Sequence, residues 1–153
     1  MADAPLILLV DDDSNDEELA RIALERASIP HRLQVARDGV EALDWLFRRS
    51  AFATRAHEPE LRLVLLDLKL PRLNGLEVLD QIRKNESTQL LPVVVFTSSA
   101  EESDLASSYE RGANAYVRKP VDFHEYKALV ADIGSFWVRR NQPPASIGRA
   151  HVL

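Results

Sequence analysis

At 153 residues, with 46% hydrophobic and 28% charged positions, the chain has the length of one domain and enough apolar content for an ordinary core, which excludes a chain disordered as a whole. The absence of cysteine excludes disulfides, thiolate nucleophiles and cysteine-ligated zinc together. A net charge of −5 argues against nonspecific attraction to nucleic acid or anionic membrane, and no apolar run approaches membrane-spanning length.

The segment Met1 to Pro5 lacks the basic region and long apolar stretch of a signal peptide, so a cytoplasmic protein is expected. Leu6-Ile7-Leu8-Leu9-Val10 is a fully apolar run stopped by Asp11-Asp12-Asp13, which reads as a buried strand ending in acid. Ser14 and Glu17 fit a capping box, and an acidic first turn suits the dipole of a helix running to about Ala27, with Leu19, Ile22 and Ala23 inward. Leu33-Gln34-Val35-Ala36 is a short edge strand. Asp38-Gly39 then opens a helix with Val40, Leu43, Leu46 and Phe47 at spacings of three and four. From Arg48 to Leu61 periodicity is lost, and Arg48, Arg49, Arg55, His57 and Pro59 predict a helix end followed by an exposed loop.

Leu63-Val64-Leu65-Leu66 predicts a third strand, buried on both faces and ending at Asp67, with Pro71 and Gly75 forcing a loop after it. Asn74 and Glu77 start the next helix, whose buried stripe is Leu76, Leu79 and Ile82. Pro92 to Phe96 is a fourth strand ending at Thr97-Ser98-Ser99, and Ser99 with Glu102 fits another capping box for a helix that stops before Gly112. Ala115 to Arg118 is a fifth strand closed by Lys119-Pro120. A last helix, from about Asp122 to Arg139, carries Phe123, Tyr126, Leu129, Val130, Ile133, Phe136 and Trp137. Strand then helix, five times over, predicts an α/β fold: a three-layer doubly wound five-stranded parallel sheet.

Four of the five strands end in polar residues at one edge: Asp11 and Asp12, then Asp67, Thr97 and Lys119. Each alone reads as an ordinary loop or cap residue. In a sheet of order 2-1-3-4-5 the first and third strands are neighbours at the switch point, which brings the three carboxylates together. Carboxylates that close repel and raise one another's pKa unless cations are present. A hard divalent cation with oxygen ligands, Mg²⁺, supplies part of that charge and Lys119 the rest. Such a site suits in-line attack of an Asp carboxylate on a phosphoryl group.

In these residues the chain resembles the receiver domain of two-component response regulators, over about residues 6 to 138. The acidic pair, Asp67 to Gly75 with Pro71, Thr97-Ser98, and Tyr116 with Lys119-Pro120 match that family in order and spacing. The resemblance implies a flavodoxin-like receiver fold with Asp67 as phosphoacceptor, assisted by Lys119 and Thr97. It implies Mg²⁺ as cofactor on Asp12, Asp67 and the Lys69 backbone carbonyl, with Asp11 acting through water. It further implies a Thr97–Tyr116 switch and a cis bond before Pro120. Asp13 is left to capping or solvent.

Rival chemistries fit less well. Phosphatases of the haloacid dehalogenase type place a second aspartate two residues after the nucleophile as general acid, and Lys69 stands there, so a switch and not a turnover enzyme is expected. No G-x-G-x-x-G follows the first strand and no G-x-x-x-x-G-K occurs, so the nucleotide phosphate cradles are missing. Residues 1–140 are expected to form the receiver domain and 141–153 a tail, disordered or acting as a dimerisation arm. The residues after 138 are too few for an effector domain, so output is expected through protein contacts, with Tyr126, Phe136 and Trp137 as a candidate dimer or partner face. Within the family the chain looks most like stand-alone receivers that partner phytochrome-type histidine kinases, from the lengthened segment before the third strand, Lys69, Pro71 and Phe136-Trp137. The expected partner is therefore a histidine kinase, with a bacteriophytochrome as the specific case and a homodimer as the assembly. A phosphate shuttle or sink to a histidine phosphotransfer protein and a constitutive binding module stay open as alternatives.

Overall fold

An apolar run such as Leu6 to Val10 has no polar face to offer water, so as a strand it must be covered on both sides. In the computed structural model, which describes residues 4–53 and 60–144, all five of its positions are buried. Strands β1 (Leu6–Val10), β2 (Arg32–Ala36), β3 (Leu61–Leu66), β4 (Val93–Thr97) and β5 (Ala115–Arg118) form one parallel sheet of order β2-β1-β3-β4-β5. Between and after them run α1 (Ser14–Arg26), α2 (Gly39–Leu46), α3 (Gly75–Lys84), α4 (Glu102–Glu110) and α5 (Phe123–Gly134). This is the architecture expected from the strand–helix alternation, with β2 at an edge.

The strand period of two sorts the apolar residues into two cores. Leu8, Val10, Val64, Leu66, Val93 and Val95 pack with Ala42, Leu43 and Trp45 of α2 and Val78, Leu79 and Ile82 of α3. Ile7, Leu9, Leu63, Leu65, Val94 and Phe96 pack with Ala20, Ala23 and Leu24 of α1 and Tyr126, Val130 and Ile133 of α5. Each such large side chain contributes about 1.5–3 kcal/mol by leaving water. That burial fixes the strands side by side, so that the polar residues at their carboxyl ends share one edge.

Several local expectations are corrected. Asp13, not Ser14, caps α1, its carboxylate accepting from the Asn15 and Asp16 N–H groups. Glu17 does not close a capping box, because its carboxylate is held by Arg21 and Arg37. The Ser99–Glu102 box does not form either: α4 begins one residue after Glu101, and Ser99 Oγ donates to Asp104 Oδ2 at 2.5 Å. In α2 the buried positions are Ala42, Leu43 and Trp45, whereas Leu46 and Phe47 are half-buried. The Asn74–Glu77 capping box at α3 is present as expected.

The Lys119–Pro120 bond, expected cis, is trans, as no cis peptide occurs among the described residues. Trans is the lower-energy form of an X–Pro bond, and the Lys119 N–H donates to the Thr97 carbonyl at 2.7 Å, so the β4–β5 ladder itself carries the lysine to the sheet edge. The last helix is regular only to Gly134 and continues as a wider π turn, Ser135–Arg140. There Asn141 N–H donates to the Phe136 carbonyl at 2.7 Å and Arg62 donates to the freed Val138 carbonyl at 2.9 Å. Tyr126 is only 3% exposed and belongs to the core, so it is not part of an exposed face, whereas Phe136 is 51% exposed with its ring edge-on to Trp137. In the basic segment Arg49 lies over the Phe47 ring, while Arg55, His57 and Pro59 fall outside the described residues, as does the tail from residue 145.

Candidate functional site

Backbone hydrogen bonds continue past the strand ends and bring the acidic residues together. Asp11 N–H donates to the Ala36 carbonyl and Asp67 N–H to the Val10 carbonyl, both at 3.0 Å, so the two aspartates extend neighbouring strands by one residue. Both residues are buried, Asp11 at 2% and Asp67 at 8% exposure. Asp12 points outward. Even so, Asp11, Asp12 and Asp67 each offer a carboxylate oxygen within 4.8 Å of the others.

Lys119 reaches this edge from the end of β5. Its ammonium donates to Asp11 Oδ2 at 2.8 Å, Asp16 Oδ2 at 2.8 Å and Asp67 Oδ2 at 2.9 Å, and it lies over the Phe96 ring. Burial works against its charge, but Asp67, Asp11 and Asp16 outweigh that and hold it well above the ordinary lysine range. Burial likewise pushes the Asp11 carboxyl up to about 6, against the pull of Lys119 and the Asp13 N–H, with Asp67 adding to the rise. The Tyr126 hydroxyl, buried and near Asp16, is raised as well and stays a neutral donor.

Thr97 is fully buried, and its Oγ1 accepts from the Ser99 N–H at 3.4 Å. The Tyr116 hydroxyl donates to the Ser99 carbonyl at 3.1 Å while its ring packs against the α2–α3 core. Ser99 thus stands between the two residues expected to communicate. Lys69 N–H donates to Asp67 Oδ1 at 3.3 Å, and its side chain is exposed at the mouth of an open cleft of about 380 Å³ that Asp12, Asp16, Asp67, Ser98, Lys119 and Val121 also line.

Every residue expected at the edge is therefore found there: Asp11, Asp12, Asp67, Lys69, Thr97 and Lys119. Sequence reasoning missed Asp16 and Ser99. Asp16 was legible only as one more acid in a helix first turn, and Ser99 only as a cap, because neither has a pattern that reveals its partner. The arrangement presents a nucleophilic carboxylate, a fixed cation beside it and an all-oxygen donor set. Hard divalent cations prefer such a set. Together these groups can receive a transferring phosphoryl group.

Residues 7–131 match the family model of the response regulator receiver domain. The probable methanogenesis regulatory protein FilR2 of Methanothrix harundinacea is 38% identical over 143 residues, 91% of this chain and 87% of its own length. Response regulator Rcp1 of Synechocystis sp. is 36% identical over 141 residues, 92% of this chain and 94% of its own. The crystal structure of the Mn²⁺-bound form of Rcp1 is similar with a TM-score of 0.84, covering 92% of this chain and 99% of that one at 36% identity. The phosphorylated cyanobacterial phytochrome response regulator RcpA gives 0.84 at 34% identity, covering 92% and 98%. The bacteriophytochrome response regulator RtBRR gives 0.71 at 50% identity, covering 96% and 87%.

Proposed function

The chain belongs to the response regulator receiver family, close to the phytochrome response regulators, and from that premise we propose that it accepts a phosphoryl group on Asp67 from a histidine kinase and signals by changed protein contacts. The observation that carries the assignment is Lys119, bonded at once to Asp11, Asp16 and Asp67 at the head of the sheet. A buried ammonium satisfied by three carboxylates is costly unless the charge is used, and an incoming phosphoryl group is what it is poised to meet.

Asp67 supplies the nucleophile. One carboxylate oxygen attacks phosphorus in line, the phosphorus–nitrogen bond of the donor phosphohistidine breaks, and the imidazole leaves with the bonding pair and takes a proton. Lys119 follows the phosphoryl oxygens, and the Thr97 hydroxyl hydrogen-bonds another of them. Asp11, Asp12 and Asp67, with the Lys69 backbone carbonyl, fit an Mg²⁺ cofactor by their donor chemistry. When bound, Mg²⁺ neutralises charge on the transferring group. Only the chain's own transfer and a slow hydrolysis of the acyl phosphate are assigned to it, which makes it a switch.

Output in this reading runs from Thr97 through Ser99 to Tyr116 and the α4–β5 surface, because drawing the Thr97 hydroxyl toward phosphate disturbs the Ser99 N–H it now accepts. The relatives named for phytochrome support a phytochrome-type kinase as donor, and a cytoplasmic exchange is part of the same proposal. The receiver is assigned to residues 1–140. The half-exposed Phe136 and its neighbour Trp137 support a homodimer formed at the end of the last helix, with residues 141–153 as an arm across it.

Acetyl phosphate with Mg²⁺, followed by intact mass and light scattering, tests the reading. A phosphoryl mass gain in wild type and none in Asp67→Asn is expected. Equal gain in both would remove Asp67 as acceptor, and a monomer in both states would remove the dimer.

A further inference from the structure

An ammonium has three N–H donors, and Lys119 directs one at each of Asp11, Asp16 and Asp67. Two of those carboxylates belong to the acceptor edge. The third does not: Asp16 stands in the first turn of α1 and is outside the oxygen cluster formed by Asp11, Asp12 and Asp67. Its placement is nonetheless fixed from several sides. The Asp16 N–H donates to Asp13 Oδ1 at 3.2 Å, and its carbonyl accepts from the buried Tyr126 hydroxyl at 3.3 Å, which ties α1 to α5. Its side chain is only 21% exposed. Both bonds are made by backbone groups, so they fix where residue 16 stands, and from that place its carboxylate meets the Lys119 ammonium at 2.8 Å.

We propose that Asp16 is a positioning residue that retains Lys119 against the phosphoryl group, weakening phosphoryl binding while strengthening cation binding at the acceptor edge. The inference rests on the reading of Asp67 as acceptor and adds a determinant to that site.

Charge sets the two effects apart. Three carboxylates are bonded to one ammonium here and a fourth, the exposed Asp12, lies beside Asp11 and Asp67, so the edge holds four carboxylates with Asp16 and three without it. A divalent cation gains from the fourth negative charge. A phosphoryl dianion loses from it twice, by direct repulsion and because one of the three Lys119 N–H groups stays with Asp16. The two effects have opposite signs. A purely architectural Asp16, one that only holds α1 against α5, would disturb the whole edge on removal and weaken both ligands together.

Calorimetric titrations separate these cases, using Mg²⁺ alone and then the phosphoryl analogue beryllofluoride at saturating Mg²⁺. Asp16→Asn keeps the shape and removes the charge. It is expected to bind Mg²⁺ more weakly and beryllofluoride more tightly, each on the order of three- to tenfold, as suits one unit charge at several Å in a partly wet site. Asp16→Ser, a second neutral replacement suited to a helix first turn, should reproduce both shifts, and Asp16→Glu should move both back toward wild type. Shifts of the same sign in the neutral variants, or none, overturn the proposal while leaving Asp67 as acceptor. Wild type that binds neither ligand overturns the acceptor reading itself, and the proposal with it.

Discussion

Asp11 shows what it costs to keep a carboxylate at the head of this sheet. At 2% exposure its carboxyl is pushed up to about 6, burial outweighing the Lys119 ammonium and the Asp13 N–H. An aspartate in the unfolded chain titrates near ~4, so between about pH 4 and 6 the folded protein holds the proton more tightly. Stability from this group is therefore fully present below about pH 4 and is lost as pH rises through about 6. The whole displacement corresponds to roughly 3 kcal/mol. Urea unfolding of wild type and Asp11→Asn in metal-free buffer, from pH 4 to 7, reads it, because acids away from this edge cancel in the difference. Wild type is expected to lose about 2–3 kcal/mol relative to the variant across that range. A difference that stays flat with pH would show that Lys119 keeps Asp11 ionised throughout.

The loop after β3 is held by α2, and the hold depends on a glycine. Asp38 caps α2, its Oδ1 accepting from the Glu41 N–H at 2.7 Å and from Arg72 at 3.2 Å. Burial opposes its charge, but these donors prevail and keep the Asp38 carboxyl below the usual aspartate range. Gly39 N–H donates to the Pro71 carbonyl at 3.4 Å, and a Cβ there would fall inside the Leu73 carbonyl oxygen and 2.8 Å from Leu73 Cβ. A backbone oxygen in a loop pinned at both ends cannot step aside as a side-chain tip would. Gly39→Ala is expected to cost about 1–3 kcal/mol and, by displacing the loop that carries Lys69, to weaken Mg²⁺ binding as well. Gly112→Ala provides the contrast. Gly112 has a φ of 97° just past α4, where a side chain is strained, but it packs on Arg83 away from the acidic edge. It should lose about 1 kcal/mol and leave Mg²⁺ affinity unchanged, as measured by unfolding and calorimetry in parallel.

The fold was legible because three apolar runs, Leu6 to Val10, Leu63 to Leu66 and Val93 to Phe96, have no polar face to expose, and polar residues follow four of the five strands abruptly; only a sheet covered by helices on both sides satisfies that pattern. The acceptor edge was legible for the same reason, since strand ends are all the sequence needs to place Asp11, Asp67 and Lys119 side by side. Details set by competition among equivalent groups were not. Three successive aspartates and a serine all qualify as caps, and only packing selects Asp13. Aromatic residues at helical spacing mark a stripe without saying where cover ends, so Tyr126 at 3% exposure and Phe136 at 51% looked alike. Nor does spacing distinguish Asp12, which is exposed, from its buried neighbour Asp11. That difference separates binding from stability. Asp12 has no buried role to lose, so Asp12→Asn should change metal-free stability by no more than about 0.5 kcal/mol. Mg²⁺ binds the folded edge and not the unfolded chain, so at a hundred times its dissociation constant it should add about 2.7 kcal/mol to wild type. A variant with affinity tenfold lower or worse keeps about half of that increment or less. Urea unfolding with and without Mg²⁺ reads both quantities. An Asp12→Asn protein that keeps the full increment would take Asp12 out of the cation site and leave the two buried aspartates to hold the ion.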